Sequence, residues 1–409
     1  MHILPDSCSE PNIVTRLVGV SVLLGLFFLA LSFFGRLLVF IASLDHGTQE
    51  GVFALSEHDL VLLMRIYATV CPLVGGTIAL LMRLHRHINL PALWVKFVAF
   101  TVSSSALLFI LLTELAKERQ FYPLGIILAA PETLDVFGRR LLLVWPARWM
   151  YLHVAGLSPL HVYYVTQAAA ICVTVSLIGI WSARFVGWRN AYLGQMLLIV
   201  LVCPTFSYHN YYDIFIIATF TGALLCLWDR RYLVFCLIAG IGTLNHENTL
   251  ILAFVALAVC YRRETRRKVA AVVGGTLMAW LIAKVGISIA VPMHASFHYR
   301  VITNLWQPVH QPRAILFSLV ELSPMFLCTV LGWSEASRRL RCSAFMLVPL
   351  LAVTYVFGQF EESRQFDAFI PIAIAFALSA LPRVESEVGH EDEDQLFTHL
   401  GADADLFVV

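Results

Sequence analysis

Long apolar runs broken by short polar stretches govern the whole chain. Taking about 20 mostly apolar residues as one membrane crossing, the pattern predicts an all-α polytopic transmembrane helix bundle. About twelve segments qualify, near 14–43, 60–82, 94–115, 160–182, 191–207, 212–228, 232–245, 248–261, 269–291, 314–333, 343–358 and 367–382. The seventh and eighth are short, and Asn245-His246-Glu247-Asn248 separates them. Two half-depth helices would suit that pair, because irregular backbone survives at membrane depth only when buried in protein or lining a wet cavity. The apolar run from Leu17 to about Phe34 is followed by no small-residue cleavage site, so it reads as the first membrane helix and not as a cleavable signal. Residues 1–383 are expected to form one transmembrane domain, including an outer amphipathic segment at 117–158. Residues 384–409 read as a disordered cytoplasmic tail.

Composition sharpens this picture. Of 409 residues, 59% are hydrophobic and 13% charged, against about 25% charged in a soluble domain. The mean hydropathy is +0.79. The formal net charge of +1 conceals a split, since eight acids follow Arg383, the last basic residue; taking those eight negative charges from +1 leaves +9 on the rest. That excess sits in short loops: Arg83, Arg86 and Lys96; Arg184 and Arg189; Arg230 and Arg231; Arg262 to Lys268; Arg338, Arg339 and Arg341. Every second loop is basic, which places the N- and C-termini in the cytoplasm by the positive-inside rule. Most of the nine cysteines lie inside apolar runs, where a thiol acts as a small hydrophobe.

The opposite loops carry the groups with chemical potential. Pro131 to Pro146 sets Asp135, Arg139 and, more loosely, Glu132 on one helical face, with Arg140 adjacent. Such a segment would lie along the interface with its polar side toward an outer cavity. It offers a carboxylate for base catalysis beside guanidiniums suited to phosphate oxygens. The run Tyr208 to Asp213 contributes His209 and Asp213, the latter opening a helix where a carboxylate can cap free N–H groups. His246 and Glu247 stand in the polar break, and a lone glutamate there requires a partner or a proton. Glu361 and Arg364 are three residues apart, within one helical turn. Lys284 and Glu321 fall inside predicted spans; the lysine is expected to snorkel, or the two to pair. His294, His298 and His310 lack a tight ligand spacing.

Taken together, Tyr211-Tyr212-Asp213 through to Arg230-Arg231, then Gly242-Thr-Leu-Asn-His-Glu-Asn, and Glu361-Glu-Ser-Arg-Gln-Phe with Pro371 beyond resemble bacterial multi-pass glycosyltransferases of the GT-C type. The resemblance covers roughly the second half and the Phe137-Gly-Arg-Arg-Leu segment. Members commonly read Asn-Arg-Glu-Thr at the break, where this chain has His246 in place of the arginine. The resemblance implies transfer of a sugar from a polyprenyl-phosphate donor to a glycan, lipid or protein acceptor at the non-cytoplasmic face of a bacterial inner membrane. It further implies an acid of an early outer loop as general base, Asp45 or Glu50 in the first or Glu132 or Asp135 in the second, with Asp135 favoured; Glu247, a second catalytic candidate, would shape the sugar site with Asp213. Arg139, Arg140 or Arg364 would hold phosphate, and the remaining substrate-binding candidates are Glu132, His209, Asp213, His246 and Glu361. No cofactor is required by the sequence, a divalent metal is open but unsupported, and no nucleic-acid partner is expected. A polysaccharide polymerase or ligase, and a transporter or flippase of a lipid-linked substrate, are the alternatives.

Overall fold

The computed structural model describes residues 93–115, 141–154, 156–203, 205, 211–261, 263–290, 301, 304, 312–357 and 363–381. Among them every regular element is helical. In chain order these are α1 (Leu93–Leu115), α2 (Leu141–His153), α3 (Pro159–Val186), α4 (Tyr192–Val202), α5 (Tyr211–Trp228), α6 (Tyr232–Thr243), α7 (Ile251–Cys260), α8 (Arg266–Ala290), α9 (Pro312–Gly332), α10 (Arg338–Ala344), α11 (Leu347–Phe357) and α12 (Ile370–Ser379). Two further 3-10 turns, Glu247–Leu250 and Ser363–Phe369, lead into α7 and α12. The segments predicted near 14–43 and 60–82 and the tail after Arg383 lie outside the described residues, as does most of the 117–158 segment before Leu141.

Local chemistry explains several of these limits. Ser158 starts α3: its hydroxyl accepts the amide of His161 while the imidazole accepts the amide of Ser158, with Pro159 at the first position where no N–H is needed. The α5–α6 turn closes through Arg230, whose φ of 61° sets the left-handed corner, and the Arg231 amide returns to the Cys226 carbonyl at 2.9 Å.

Among the described residues three helices are long and apolar enough to cross a membrane: Pro159–Val186, Arg266–Ala290 and the consecutive α10–α11 stretch Arg338–Val356. Their outward faces carry bare aliphatic side chains, among them Val165, Ile282, Ile289 and Val348. Exposed apolar surface of that extent is costly in water and marks a membrane-facing or partner-facing surface. The buried core runs through α3, α4, α5, α7 and α12, with α3 packed on α5, α1 and α12, and α8 on α6 and α7.

The basic loops converge at one end. Arg184 clasps Asp229 through two bonds of 2.6 and 2.7 Å, joining the ends of α3 and α5. Arg230 and Lys268 each stand 3.6 Å from Glu264, which also accepts from the Tyr232 hydroxyl at 2.7 Å. Arg339 donates to the Trp228 carbonyl at 3.0 Å and lies over its ring. The alternation of basic loops read from the sequence therefore corresponds, in this part of the chain, to a common basic face.

Candidate functional site

Three helices leave the basic face and stop early. α6, α7 and α12 have 12, 10 and 10 residues, which at about 1.5 Å per residue gives only some 15–18 Å of rise. Their upper ends are the two polar breaks, 244–250 and 363–369. Neighbouring long helices fix the height of this layer. Thr174 on α3 donates to the Ile214 carbonyl at 3.2 Å, and the run from Thr174 to Val186 spans about 18 Å. Trp280 on α8 donates its indole N–H to the Glu247 carbonyl at 3.0 Å, and from Arg266 to Trp280 the rise is about 21 Å. Both rulers agree. The polar layer lies about halfway along the long helices, at the junction of the two short helices α6 and α7.

Within the layer, the side chains divide by exposure. Asp213, in the first turn of α5, accepts from Arg364 Nη1 at 3.3 Å, and the two side chains are 2% and 12% exposed. This pair ties α5 to the 363–369 turn. Asn248 Nδ2 donates to Gln365 Oε1 at 3.1 Å, tying that turn to the first break. Asp367, fully buried, stands 3.4 Å from the Thr205 hydroxyl, which also bonds the Val202 carbonyl at 3.0 Å. His246 has extended backbone and its Nδ1 accepts the Asn248 amide at 3.2 Å, so its ring caps the turn into α7. Gly242 permits the close approach of α5 to the break: a Cβ there would collide with the Thr219 side chain and come within 2.9 Å of Thr249.

Glu247 differs from these. Its carboxylate Oε2 is 3.8 Å from Lys284 Nζ, and the two side chains are 45% and 31% exposed. A separation of 3.8 Å is an ion pair too long for a good hydrogen bond. Lys284 shares the inward stripe of α8 with Thr276, Trp280 and Ile287. Lys284, expected to snorkel or to pair with Glu321, forms an ion pair with Glu247, set by α8 lying along the first break, while Glu321 is buried on α9.

The outer segment also reaches this layer. The Leu142 amide donates to the Leu244 carbonyl at 3.3 Å, so the start of α2, which directly follows Arg139-Arg140 in sequence, abuts the break. Of the residues singled out from sequence, Asp213, His246, Glu247 and Arg364 are brought together by the two breaks. Asp45, Glu50, Glu132, Asp135, Arg139, Arg140, His209 and Glu361 lie outside the described residues, as do His294, His298 and His310. Asn248, Gln365 and Trp280 were not singled out individually. Helical spacing carried a signal for Trp280, since it shares a face with Thr276 and Lys284; none marked Asn248 and Gln365 as partners.

Chemically, the layer offers a buried carboxylate–guanidinium pair that joins α5 to the 363–369 turn, and beside it an accessible carboxylate next to an accessible ammonium. An accessible carboxylate can accept a proton from a hydroxyl, and an accessible ammonium can receive an anionic oxygen. Among the described residues no group of three or more His, Cys, Asp or Glu is placed to hold a metal ion. Comparison with protein-family models, with curated proteins and with solved structures returned no match.

Proposed function

We propose that the chain is an integral membrane glycosyltransferase that takes a sugar from a polyprenyl-phosphate donor, with its basic face in the cytoplasm and its polar layer open toward the other side. The observation that carries this reading is the layer itself: Asp213, Arg364, Asn248, Gln365 and the Lys284–Glu247 pair meet where three helices stop halfway. Ionisable groups at such depth are costly and mark a pathway or a site. In the reaction, the acceptor hydroxyl oxygen forms a bond to the anomeric carbon while the bond from that carbon to the phosphate oxygen breaks. The bonding electron pair leaves with the phosphate, and the hydroxyl proton passes to a carboxylate. Glu247 suits that role by its exposure, and Asp135 by the resemblance to GT-C enzymes. Asp213 and Arg364, engaged with one another, act as positioning residues.

Chromosomal Glu247→Gln and Asp135→Asn variants test this in the native host. Each should remove a glycan from the envelope profile read by mass spectrometry, with normal amounts of protein in the membrane. An unchanged profile from both variants would refute the transferase reading.

One observation favours a second reading, transport of a lipid-linked substrate: broken helices at half height are also where transporters place their binding sites. Counterflow of a labelled polyprenyl phosphate into proteoliposomes containing only this protein would decide for it.

A further inference from the structure

We propose that Lys284 anchors the anionic head of a lipid phosphate and that Glu247 is its built-in competitor, so that headgroup and carboxylate displace one another at the Lys284 ammonium. The proposal rests on the transferase reading and adds to it a competition at that ammonium. At 3.8 Å, with both side chains partly open, the pair is loose enough for a ligand oxygen to enter between its members. An ammonium has three donors and no acceptor, so Lys284 can turn from a carboxylate to a phosphate without losing a charge partner. The sugar-bearing donor is a phosphodiester with one negative charge, equal to that of the carboxylate, whereas the carrier left after transfer is a monoester with up to two, so donor and carboxylate compete on equal charge and the spent carrier has the advantage. Ser288 is one turn above, where its hydroxyl donates to the Lys284 carbonyl at 3.0 Å, holding the helix at that point.

The same helix explains why the ligand should be a lipid. Leu281, Ile282, Val285 and Ile289 of α8 are exposed, while Lys284 lies on the inward stripe among them. A cation beside an apolar exposed face matches an amphiphile with an anionic head; free phosphate would use only the cation. Trp280, one turn below Lys284, holds the Glu247 backbone through its indole N–H. The Glu247 side chain can therefore swing while its backbone stays fixed. Lys284 then holds either the headgroup or the Glu247 carboxylate.

The test uses full-length protein in nanodiscs of zwitterionic phosphatidylcholine, with farnesyl phosphate, farnesol and inorganic phosphate as probes and binding read by calorimetry. Lys284→Met should weaken farnesyl phosphate about tenfold or more, the scale of one charged hydrogen bond, and Lys284→Arg should retain most of the affinity. Glu247→Gln should bind farnesyl phosphate several-fold more tightly, a gain that misfolding cannot imitate. Farnesol affinity should be weak and equal in all variants. Unchanged farnesyl phosphate affinity in Lys284→Met would overturn this assignment while leaving the transferase reading intact. Weaker or equal binding by Glu247→Gln would overturn the competitor role. Inorganic phosphate binding as tightly as farnesyl phosphate would overturn the lipid source. If the folded wild-type protein binds no farnesyl phosphate at all, this proposal and the transferase reading fall together.

Discussion

Removing one charge from the Asp213–Arg364 pair should be far more damaging than removing both. At 3.3 Å the attraction is about 5 kcal/mol for an effective dielectric near 20. Withdrawing two charges from water offsets much of that, so the intact pair adds little net stability, whereas stranding one member typically costs about 3–5 kcal/mol. Asp213→Asn leaves a guanidinium that keeps its charge, and Arg364→Gln leaves the carboxylate without its cation. Both replacements preserve most of the volume and some hydrogen bonding, so the electrostatic contribution dominates. We expect each single variant to lose about 3 kcal/mol or more, and Asp213→Asn/Arg364→Gln to lose no more than the worse single, a coupling of at least about 2 kcal/mol. Reversible unfolding in mixed micelles, followed by tryptophan fluorescence, reads all four corners of the cycle. Losses that simply add, within about 0.5 kcal/mol, would show that the two groups do not act as a unit.

Three further outcomes are expected. Gly332→Ala should lose about 1–3 kcal/mol in the same unfolding assay, because its Cβ would collide with the backbone carbonyl of Phe376, which cannot rotate away. Gly274→Ala and Gly286→Ala, with nothing within 4 Å of the added carbon, should be neutral or gain up to about 1 kcal/mol. On the basic face, the Tyr232 hydroxyl holds the Glu264 carboxyl below its ordinary range, against partial burial, with Lys268 and Arg230 adding to the effect. Its contribution to stability is therefore present above about pH 4.3, the ordinary glutamate value, and is lost as pH falls through the depressed one; acid titration of stability should flatten in Glu264→Gln. Arg266→Cys should react with an impermeant maleimide only from the cytoplasmic side and His153→Cys only from the other, and labelling of both from one side would reverse the orientation argument.

Much of the layout was legible in the chain because it depends on local pattern. Apolar run length located α1, α3, α5 and α8 to within a few residues at most ends, and the basic loops declared which ends lie together. The polar run Asn245 to Asn248 announced a break because four such side chains cannot face hydrocarbon. What pattern could not supply was pairing across distance. Asn248 meets Gln365, and Lys284 meets Glu247, only because the 363–369 turn and α8 both pack against the break. Height was equally hidden: candidate groups were assigned to the outer face by topology alone, whereas Thr174 and Trp280 set Asp213 and Glu247 about midway along their neighbours. The 141–153 helix was read as the end of an interfacial segment, and its amide contact with Leu244 had no counterpart in the sequence.

The brevity of α6 and α7 bears on how the protein is made. Apolar stretches of 10–14 residues fall below what a bilayer retains as an independent spanning element, so the 232–260 hairpin has no stable station of its own during synthesis. Its polar tip is accommodated by α8, through Trp280 and Lys284, and α8 emerges from the ribosome later. In a bilayer the polar tip of this hairpin would be satisfied only once α8 stands beside it, which makes α8 a scaffold for assembly as well as a wall of the polar layer.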